Sequence, residues 1–359
     1  MKAAVLREVG KPLQIEDVEI RKPGPHEVLI RTAAAGVCHS DLHFIEGSYT
    51  MPLPAILGHE SAGVVEAVGE EVRTVKPGDH VITCLSVFCG NCEDCLTGHM
   101  SLCRNPDVRR PTTPRLTQNG AAVGQFAQLS SFAEQMLIHE HACVAIRKDM
   151  PLDSAALIGC GVTTGVGAVI HTSKVRPGET VAVIGCGGVG LAAINGAAIA
   201  GAGRIIAIDT SSAKDNMARA FGATDFINAA ETDPVAAVMG ITGGGVHHAF
   251  EAIGLAKTAE QAFNMLARGG TANIIGMIPV GQSISLMGAA FLAEKRIQGS
   301  SMGSNRFPVD MPRLVDFYLS GKLKLDEMIS RRIRLEDVND AFVEMKTGQV
   351  ARSVIMFDA

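Results

Sequence analysis

The chain has 359 residues, a length that favours two domains over one. Apolar residues make up 47% and charged residues 19%, which is typical of a globular protein with a large core. The formal net charge of −5 gives no indication of a nucleic acid or an acidic membrane as a partner. The first residues lack the apolar segment of a signal peptide, so we expect a cytoplasmic protein.

The first 150 residues contain short β-type runs that glycine and proline interrupt. Examples are residues 27–38, 61–69 and 80–85, with Pro77-Gly78-Asp79 as one of the turn signals between them. This pattern predicts a mostly β, barrel-like domain.

From about residue 160 the pattern changes to alternating strands and helices. The predicted strands are 181–184, 205–209, 225–228, 247–253 and 271–277, and the predicted helices are 189–202 and 211–223. Such alternation predicts a parallel sheet with right-handed crossovers. The run 181–203 carries no charge, but it contains turn-forming glycines, so we interpret it as a buried strand, turn and helix rather than a membrane span. A further helix (308–322) and a last strand (352–357) follow.

A dinucleotide-binding pattern lies between the first predicted strand and helix of this second part. The turn reads Gly185-Cys186-Gly187-Gly188-Val189-Gly190, which fits G-x-G-x-x-G in the required context. Asp209 ends the next strand, where a carboxylate binds the ribose hydroxyls and favours NAD over NADP. Lys214 can reach the same ribose or can be an ordinary solvated lysine. The alternative for the turn is a glycine-rich loop without a ligand.

Nine cysteines are present, and four of them form a compact cluster. The spacing Cys89-x2-Cys92-x2-Cys95-x7-Cys103 predicts a closed tetrahedral zinc site with a structural role. An iron–sulfur cluster is the competing interpretation. Disulfides are a further alternative, which would require an oxidising compartment.

Three dispersed residues are candidates for a second metal site. They are Cys38, His59 and Cys160, each with glycine nearby in the sequence. Two cysteines and a histidine leave a fourth coordination position open for water or substrate, as catalytic zinc requires. From spacing alone the alternative stays open that the cysteines are small buried hydrophobes and His59 is a core histidine.

Taken in order, these motifs resemble the zinc-containing medium-chain alcohol dehydrogenase family. The resemblance rests on the strings 36–43 (GVCHSDLH), 58–63 (GHESAG), the four-cysteine cluster, 159–161 (GCG) and the glycine turn, and it covers essentially the whole chain. It implies an α/β protein in which a mostly β GroES-like catalytic domain (1–160 and 300–359, with the zinc lobe 89–103) accompanies a Rossmann NAD-binding domain (161–299).

The resemblance also implies roles for individual residues. Cys38, His59 and Cys160 would bind the catalytic zinc, with Glu60 behind it and Asp41 hydrogen-bonded to His59. Ser40 would take the alcohol proton and pass it through the nicotinamide ribose to His43. The remaining coenzyme contacts would be His39 and Arg352 at the pyrophosphate and Thr164 and Val189 at the nicotinamide, and the substrate pocket would include Tyr49, Leu85, Leu116 and Met277.

The implied reaction is reversible oxidation of a primary or secondary alcohol by hydride transfer to NAD, with two Zn²⁺ per chain. Leu85 stands where small-alcohol enzymes carry a bulky aromatic residue, which favours a larger or aromatic alcohol. A homodimer or homotetramer is expected, with a small-molecule alcohol or aldehyde as substrate and no membrane partner.

Three rival functions are left open. A thiol-adduct formaldehyde dehydrogenase needs an anion clamp, and Tyr49 and Asp107 stand where that branch uses an acid and an arginine; Arg104, Arg109 and Arg110 lie nearby. An NAD- and zinc-binding sensor would not need the Ser40 and His43 relay. A zinc-free quinone reductase of the same superfamily would lack both cysteine sets.

Overall fold

A computed structural model describes residues 1–348 and 350–358. The chain divides into two compact units. The first comprises Met1–Gly161, Arg306–Gly321 and Leu325–Ala359, and the second comprises Val162–Asn305 and Lys322–Lys324.

The strands and helices are numbered in chain order. The strands are β1 (Lys2–Leu6), β2 (Gln14–Asp17), β3 (Glu19–Ile20), β4 (Glu27–Gly36), β5 (Ala55–Ile56), β6 (Glu60–Val68), β7 (His80–Thr83), β8 (Leu116–Gln118), β9 (Ala121–Ala122), β10 (Gly124–Gln125), β11 (Gln135–His139), β12 (Cys143–Ile146), β13 (Thr180–Ile184), β14 (Arg204–Asp209), β15 (Asp225–Asn228), β16 (Val246–Glu251), β17 (Leu266–Ile274), β18 (Arg296–Gly299), β19 (Ile329–Ile333) and β20 (Arg352–Met356). The α-helices are α1 (His39–Ile45), α2 (Glu93–Leu96), α3 (Pro106–Arg109), α4 (Leu152–Leu157), α5 (Thr163–Gly167), α6 (Gly188–Ile199), α7 (Asp215–Ala220), α8 (Pro234–Thr242), α9 (Ala256–Asn264), α10 (Phe307–Leu319) and α11 (Val338–Lys346).

The first unit is built around β4. The strand pairs antiparallel with β6, β11 and β20, and the largest sheet of the unit runs β12-β7-β6-β4-β20-β19. Smaller sheets run β10-β5-β1-β2 and β3-β8-β9. Apolar side chains from these strands, such as Val28, Ile30 and Val65, are almost fully buried. No residue of β4 is exposed, and a strand covered on both faces has a near-continuous apolar sequence, as residues 27–38 do.

The second unit has a six-stranded sheet in the order β15-β14-β13-β16-β17-β18, with all neighbours parallel. The order reverses direction at β13, which is the arrangement of a doubly wound α/β sheet. The predicted α/β fold class, with a Rossmann sheet in addition to a mostly β part, is confirmed. Helix α6 has buried side chains on all sides, as expected for an all-apolar helix in a core.

Two elements differ from the sequence prediction by more than three residues at one end. The strand predicted from 271 is β17, which begins at Leu266, and its early part contains Gly269 at φ +74°. The ladder to β16 continues past the two glycines at 269–270 with a shift of register. The helix predicted over 211–223 is a 3-10 turn (Ser212–Lys214) followed by the shorter α7.

A long apolar helical segment runs from Leu152 to Ser173 and includes two stretches of π-helix, at Ile158–Val162 and Ala168–Ser173. It is long and apolar enough to cross a membrane by length and composition alone. However, 83% of its most apolar window is buried inside the protein, so these side chains already have partners in the core.

A buried ion pair joins the start of β4 to the segment before β8. Glu27 is 7% exposed, and its carboxylate contacts Arg115 Nε at 2.7 Å and Arg21 Nη1 at 2.6 Å. Burial alone would raise the pKa of Glu27, but the two guanidinium groups and the N–H of Gly24 outweigh it and lower that pKa. The charged form of Glu27 therefore stabilises the fold at neutral pH.

We expect Arg115→Met to lower the free energy of unfolding by about 2 kcal/mol at pH 7, because it leaves a buried carboxylate with one cation fewer. The pKa of Glu27 is lowered on folding, so its contribution is present above the unfolded value of 4.5 and is lost as the pH falls through the folded value. The difference in the free energy of unfolding between variant and wild type should therefore become smaller below about pH 4.5. Urea unfolding followed by circular dichroism measures it. Arg110→Met, at an exposed arginine, is the control; a gap that is independent of pH would contradict the assignment.

Candidate functional site

The end of the β4–β6 ladder brings two of the dispersed metal-ligand candidates together. Gly36 pairs with Glu60 in this ladder, so Cys38 lies just beyond the end of β4 and His59 just before the start of β6. Cys160 comes from the π-helical turn Ile158–Val162, a widened turn of the kind that often carries functional residues. The Sγ atoms of the two cysteines and a ring nitrogen of His59 all lie within 4.8 Å of one another.

The surroundings of His59 suit a metal ligand. The side chain is fully buried, and its Nδ1 lies 3.2 Å from Asp41 Oδ1. Asp41 also accepts hydrogen bonds from the backbone N–H of Gly58 (2.9 Å) and of Cys38 (3.3 Å), which fix the carboxylate. The other ring nitrogen of His59, Nε2, is buried and has no hydrogen-bond partner among the described residues. A carboxylate on Nδ1 leaves Nε2 with its lone pair, which is how a zinc-ligating histidine is usually prepared.

One of the two buried thiols, that of Cys38, favours the charged form that a zinc ion requires. A hydrogen bond from Cys160 lowers the pKa of Cys38 well below its usual value, against the opposing effect of burial. Arg352, whose Nη2 lies 3.8 Å from Cys38 Sγ, acts in the same direction. The site therefore favours a thiolate before any metal is considered, and thiolate is the form that binds zinc. The residues present fit a zinc ion with an open fourth position.

Glu60 and Arg352 form a buried pair next to the same three residues. Glu60 is fully buried, accepts a hydrogen bond from Gly161 N at 3.0 Å, and lies 3.3 Å from Arg352 Nε. Burial raises the pKa of Glu60 to about 7, although the charge of Arg352 opposes this. The family resemblance implies a pyrophosphate contact for Arg352. Its contacts in the structure are with Glu60 and Cys38, and a pyrophosphate contact stays a prediction.

The residues of the predicted proton relay lie on α1, directly after Cys38. Ser40 is half-buried, and its Oγ lies 3.8 Å from Cys38 Sγ. His43, one helical turn later, is half-buried with its ring 5.9 Å from that of Tyr49. His39, at the start of the helix, is exposed. A hydroxyl close to the metal ligands, followed by an imidazole one turn away, matches the order that a relay to solvent needs.

His59 lies at one end of a row of aromatic side chains, of which Phe126 and Phe44 were not predicted from the sequence. The ring of Phe126 meets the His59 imidazole edge to face, with centroids 5.4 Å apart. Phe44 packs against Phe126 at 4.7 Å and lies 6.0 Å from Tyr49. These phenylalanines carry no motif in the sequence, because their proximity to His59 arises only from tertiary packing.

The other predicted pocket residues have different surroundings. Leu85 is half-buried and packs on an apolar cluster that includes Val81 and Val87. Leu116 is 1% exposed within the core of the first unit, and Met277 is half-buried after β17. Their contribution to a substrate pocket stays a prediction.

The four clustered cysteines form a second candidate metal centre. Cys92 Sγ lies 3.5 Å from Cys95 Sγ and 3.8 Å from Cys103 Sγ, and all four sulfurs including that of Cys89 lie within 4.8 Å of one another. All are free thiols, and these separations are far longer than a disulfide bond. Sulfurs about 2.3 Å from one tetrahedral ion would lie about 3.8 Å apart. A cluster of several iron atoms would hold its four thiolates further apart, so one ion fits better.

The predicted glycine turn lies between β13 and α6, at the point where the sheet order reverses. Gly187 immediately precedes α6, and a Cβ on it would meet no atom within 4 Å, which leaves the helix N-terminus open to a ligand. A Cβ on Gly190 would lie 1.7 Å from Gly185 O, so only glycine permits this close approach of helix and turn. Gly188 is the first residue of α6. The open cradle fits a pyrophosphate.

Asp209 connects the end of β14 to this turn. The carboxylate accepts a hydrogen bond from Cys186 N at 2.8 Å and lies 3.2 Å from Lys214 Nζ, while the residue is 9% exposed. Thr164 and Val189 belong to neighbouring helices, because a Cβ on Gly165 would lie 2.4 Å from Val189 O. Sequence-distant candidates for the coenzyme site are thus neighbours within the second unit.

Two family models match the chain. Residues 24–148 match the alcohol dehydrogenase GroES-like domain, and residues 188–320 match the zinc-binding dehydrogenase model. These two regions include the β4–β6 ladder, the four-cysteine lobe and the start of the helix that follows the glycine turn.

Solved structures similar to this chain cover its full length. An alcohol dehydrogenase zinc-binding domain protein from Burkholderia ambifaria is 36% identical, with a TM-score of 0.95, over 100% of this chain and 99% of that one. Benzyl alcohol dehydrogenase from Acinetobacter calcoaceticus is 33% identical, with a TM-score of 0.93, over 99% of both chains. A zinc-binding dehydrogenase from Sinorhizobium meliloti bound to NADP is 29% identical, with a TM-score of 0.84, over 99% of both chains.

Identity of this extent over whole chains indicates common ancestry and not only a shared fold. The matches agree with the motifs from which the resemblance was first drawn. The chain belongs to the zinc-dependent medium-chain alcohol dehydrogenase family, and is therefore an oxidoreductase of the zinc-binding dehydrogenase type.

Proposed function

We propose that this protein is a zinc- and NAD-dependent alcohol dehydrogenase that oxidises larger or aromatic primary or secondary alcohols. The observation that carries the proposal is the convergence of Cys38, His59 and Cys160, with the hydroxyl of Ser40 close by. The first unit would be the catalytic domain and the second the coenzyme domain. The four-cysteine lobe would hold a second, structural zinc.

In this mechanism each residue has a distinct task. When bound, zinc supplies a Lewis acid that lowers the pKa of an alcohol, and NAD supplies the hydride acceptor. Ser40 Oγ would accept the proton that the alcohol loses while its own hydroxyl proton moves on along the relay, and His43 would release a proton to solvent. Asp41 holds His59 in the tautomer that leaves Nε2 unprotonated. Arg352 compensates the buried charge of Glu60 and Cys38.

The preference for NAD is supported by Asp209. A carboxylate at the end of the second strand binds the 2′- and 3′-hydroxyls of a ribose and repels a 2′-phosphate. The Sinorhizobium relative is bound to NADP, so family membership alone does not decide the coenzyme. Lys214 lies on the same carboxylate and would lie near the same ribose.

An aromatic alcohol is the favoured substrate class. The rings of Phe126, Phe44 and Tyr49 form a continuous aromatic group beside His59, and the relative from Acinetobacter is a benzyl alcohol dehydrogenase. Flat apolar surfaces of this kind bind an aromatic ring better than a short alkyl chain. The rival, a thiol-adduct formaldehyde dehydrogenase, needs an anion clamp; Tyr49 provides no charge at the expected place.

A homodimer or homotetramer is the expected assembly. Strand β18 is at the end of its sheet order, and the segment before it exposes Val280 (81%), Met287 (75%) and Leu292 (88%). A free strand edge next to exposed apolar side chains favours pairing with a second copy of the chain.

Metal analysis together with a substrate panel tests the proposal. We expect two zinc ions per chain and faster NADH formation from benzyl alcohol than from ethanol, or from formaldehyde with added thiol. Cys160→Ala should retain one zinc and lose turnover, and Cys84→Ala, at another buried cysteine, is the control. Zinc-loaded protein that reduces no NAD with any alcohol would support a sensor, and fewer than two zincs would count against the proposal.

The relay predicts that Ser40→Ala reduces kcat by about 10²- to 10⁴-fold, because the alcohol proton loses its acceptor. The dissociation constant for NAD, measured by isothermal titration, should stay within about twofold, since the hydroxyl is not required for coenzyme binding. Ser48→Ala, at an exposed serine after the same helix, is the control. An active Ser40→Ala enzyme would mean that the proton leaves by another route.

Asp209→Ala should shift the ratio of kcat/KM for NAD over NADP toward NADP by about 10- to 100-fold, as expected for one lost charge-assisted hydrogen bond. Asp209→Asn keeps an acceptor for Cys186 N and so separates loss of charge from collapse of the turn. Asp215→Ala, on the following helix, is the control. If the coenzyme ratio did not change in either Asp209 variant, the ribose would have to be recognised elsewhere.

A further inference from the structure

A short turn in the first unit holds three residues in the left-handed region of backbone conformation. Ala127, Gln128 and Ser130 have φ values of 53°, 60° and 61°, and none of them is glycine. Each such residue costs about 1–2 kcal/mol relative to a right-handed conformation. Strain of this kind persists only where surrounding contacts enforce it, and it is common at functional sites.

Three hydrogen bonds join this turn to the segment immediately before His59. The hydroxyl of Ser130 donates to Ile56 O at 2.9 Å, Phe132 N donates to Leu57 O at 3.1 Å, and Ser131 N donates to Gly58 O at 3.0 Å. The backbone carbonyls of the three residues before His59 therefore accept hydrogen bonds from three successive residues of the turn 126–132.

The turn is itself closed by the same serine. Ser130 is 2% exposed, and its Oγ accepts a hydrogen bond from Phe126 N at 3.0 Å while it donates to Ile56. The hydroxyl of Ser130 thus donates one hydrogen bond and accepts another. Phe126, fixed by that bond, places its ring edge to face against the His59 imidazole. One buried hydroxyl links the backbone before His59 to the ring that packs on it.

His59 is held from a second direction by Asp41, which binds Gly58 N and His59 Nδ1. Asp41 restrains the imidazole at Nδ1, and the nearly perpendicular ring of Phe126 restrains it by packing against it. The backbone at Gly58 is closely packed, because a Cβ there would lie 2.6 Å from atoms of Phe132 and Ser131. The unpartnered Nε2 of His59 can then take only a narrow range of directions.

We propose that the strained turn 126–132 is a positioning element for the metal ligand His59, and that Ser130 is its central positioning residue. The inference rests on the proposed function for the identity of the ion. The strained conformation of the turn fixes the orientation of the imidazole, so that His59 is preorganised to bind zinc together with Cys38 and Cys160. Ser130 does not touch the substrate or the ion.

The test compares variants that separate hydroxyl from strain. Ser130→Gly removes the hydroxyl and relieves the backbone, and Ser130→Ala removes the hydroxyl alone. Gln128→Gly, at a half-buried position with nearly the same φ, relieves strain and leaves the hydroxyl in place. Zinc release to a chelator is followed with each full-length enzyme, and the zinc of the four-cysteine lobe is the internal reference.

Both Ser130 variants should bind the zinc at Cys38, His59 and Cys160 about 10- to 100-fold more weakly, as is usual when a contact behind a ligand is lost. The lobe zinc should be retained in all three variants, and the thermal midpoint of Gln128→Gly should not fall, because this substitution removes backbone strain and leaves the hydroxyl of Ser130 in place. Unchanged zinc release in the Ser130 variants would overturn the proposal, as would loss of both zincs together, since that indicates general destabilisation. If the wild-type protein bound no zinc through Cys38 and His59, both this inference and the proposed function would fail.

Discussion

The antiparallel ladder between β4 and β6 is the constraint on which the rest of the site depends. Because Gly36 is opposite Glu60, Cys38 and His59 emerge at the same end of the two strands although 21 positions separate them in sequence. A shift of the ladder by one residue would reverse the faces of every side chain in it. Pairing of β4 with β11 and β20 as well makes such a shift costly.

Charge balance provides the second constraint. Asp41, Glu60 and the two thiols Cys38 and Cys160 are potential anions within a buried region, and Arg352 is the permanent cation beside them. Buried charges are tolerated only when they are paired. Burial raises the pKa of Glu60 to about 7 although the charge of Arg352 opposes this, so the guanidinium offsets only part of the cost of burying this carboxylate. A divalent cation at the three ligands would complete the balance, in agreement with membership of a zinc-dependent family.

In the proposed function the second unit binds a charged coenzyme, mainly through backbone groups. The turn offers backbone N–H groups and an open helix N-terminus, and Gly190 allows the helix to approach the strand. Asp209 has two contacts at this site: its carboxylate accepts a hydrogen bond from the turn, and it lies next to Lys214. The residue proposed to select the coenzyme therefore also stabilises the loop that would hold it.

The sequence was sufficient for the α/β class and the family, because glycine turns and cysteine spacings are local patterns with a direct physical meaning. It also named Cys38, His59 and Cys160, but only as candidates, since spacing over more than one hundred residues does not report distance. Tertiary structure alone decided that Arg352 contacts Glu60 and that Phe126 packs on His59. It also decided that Ser130 links Phe126 to the backbone before His59. These contacts arise from strands and turns far apart in the chain, and no local pattern of residues encodes them.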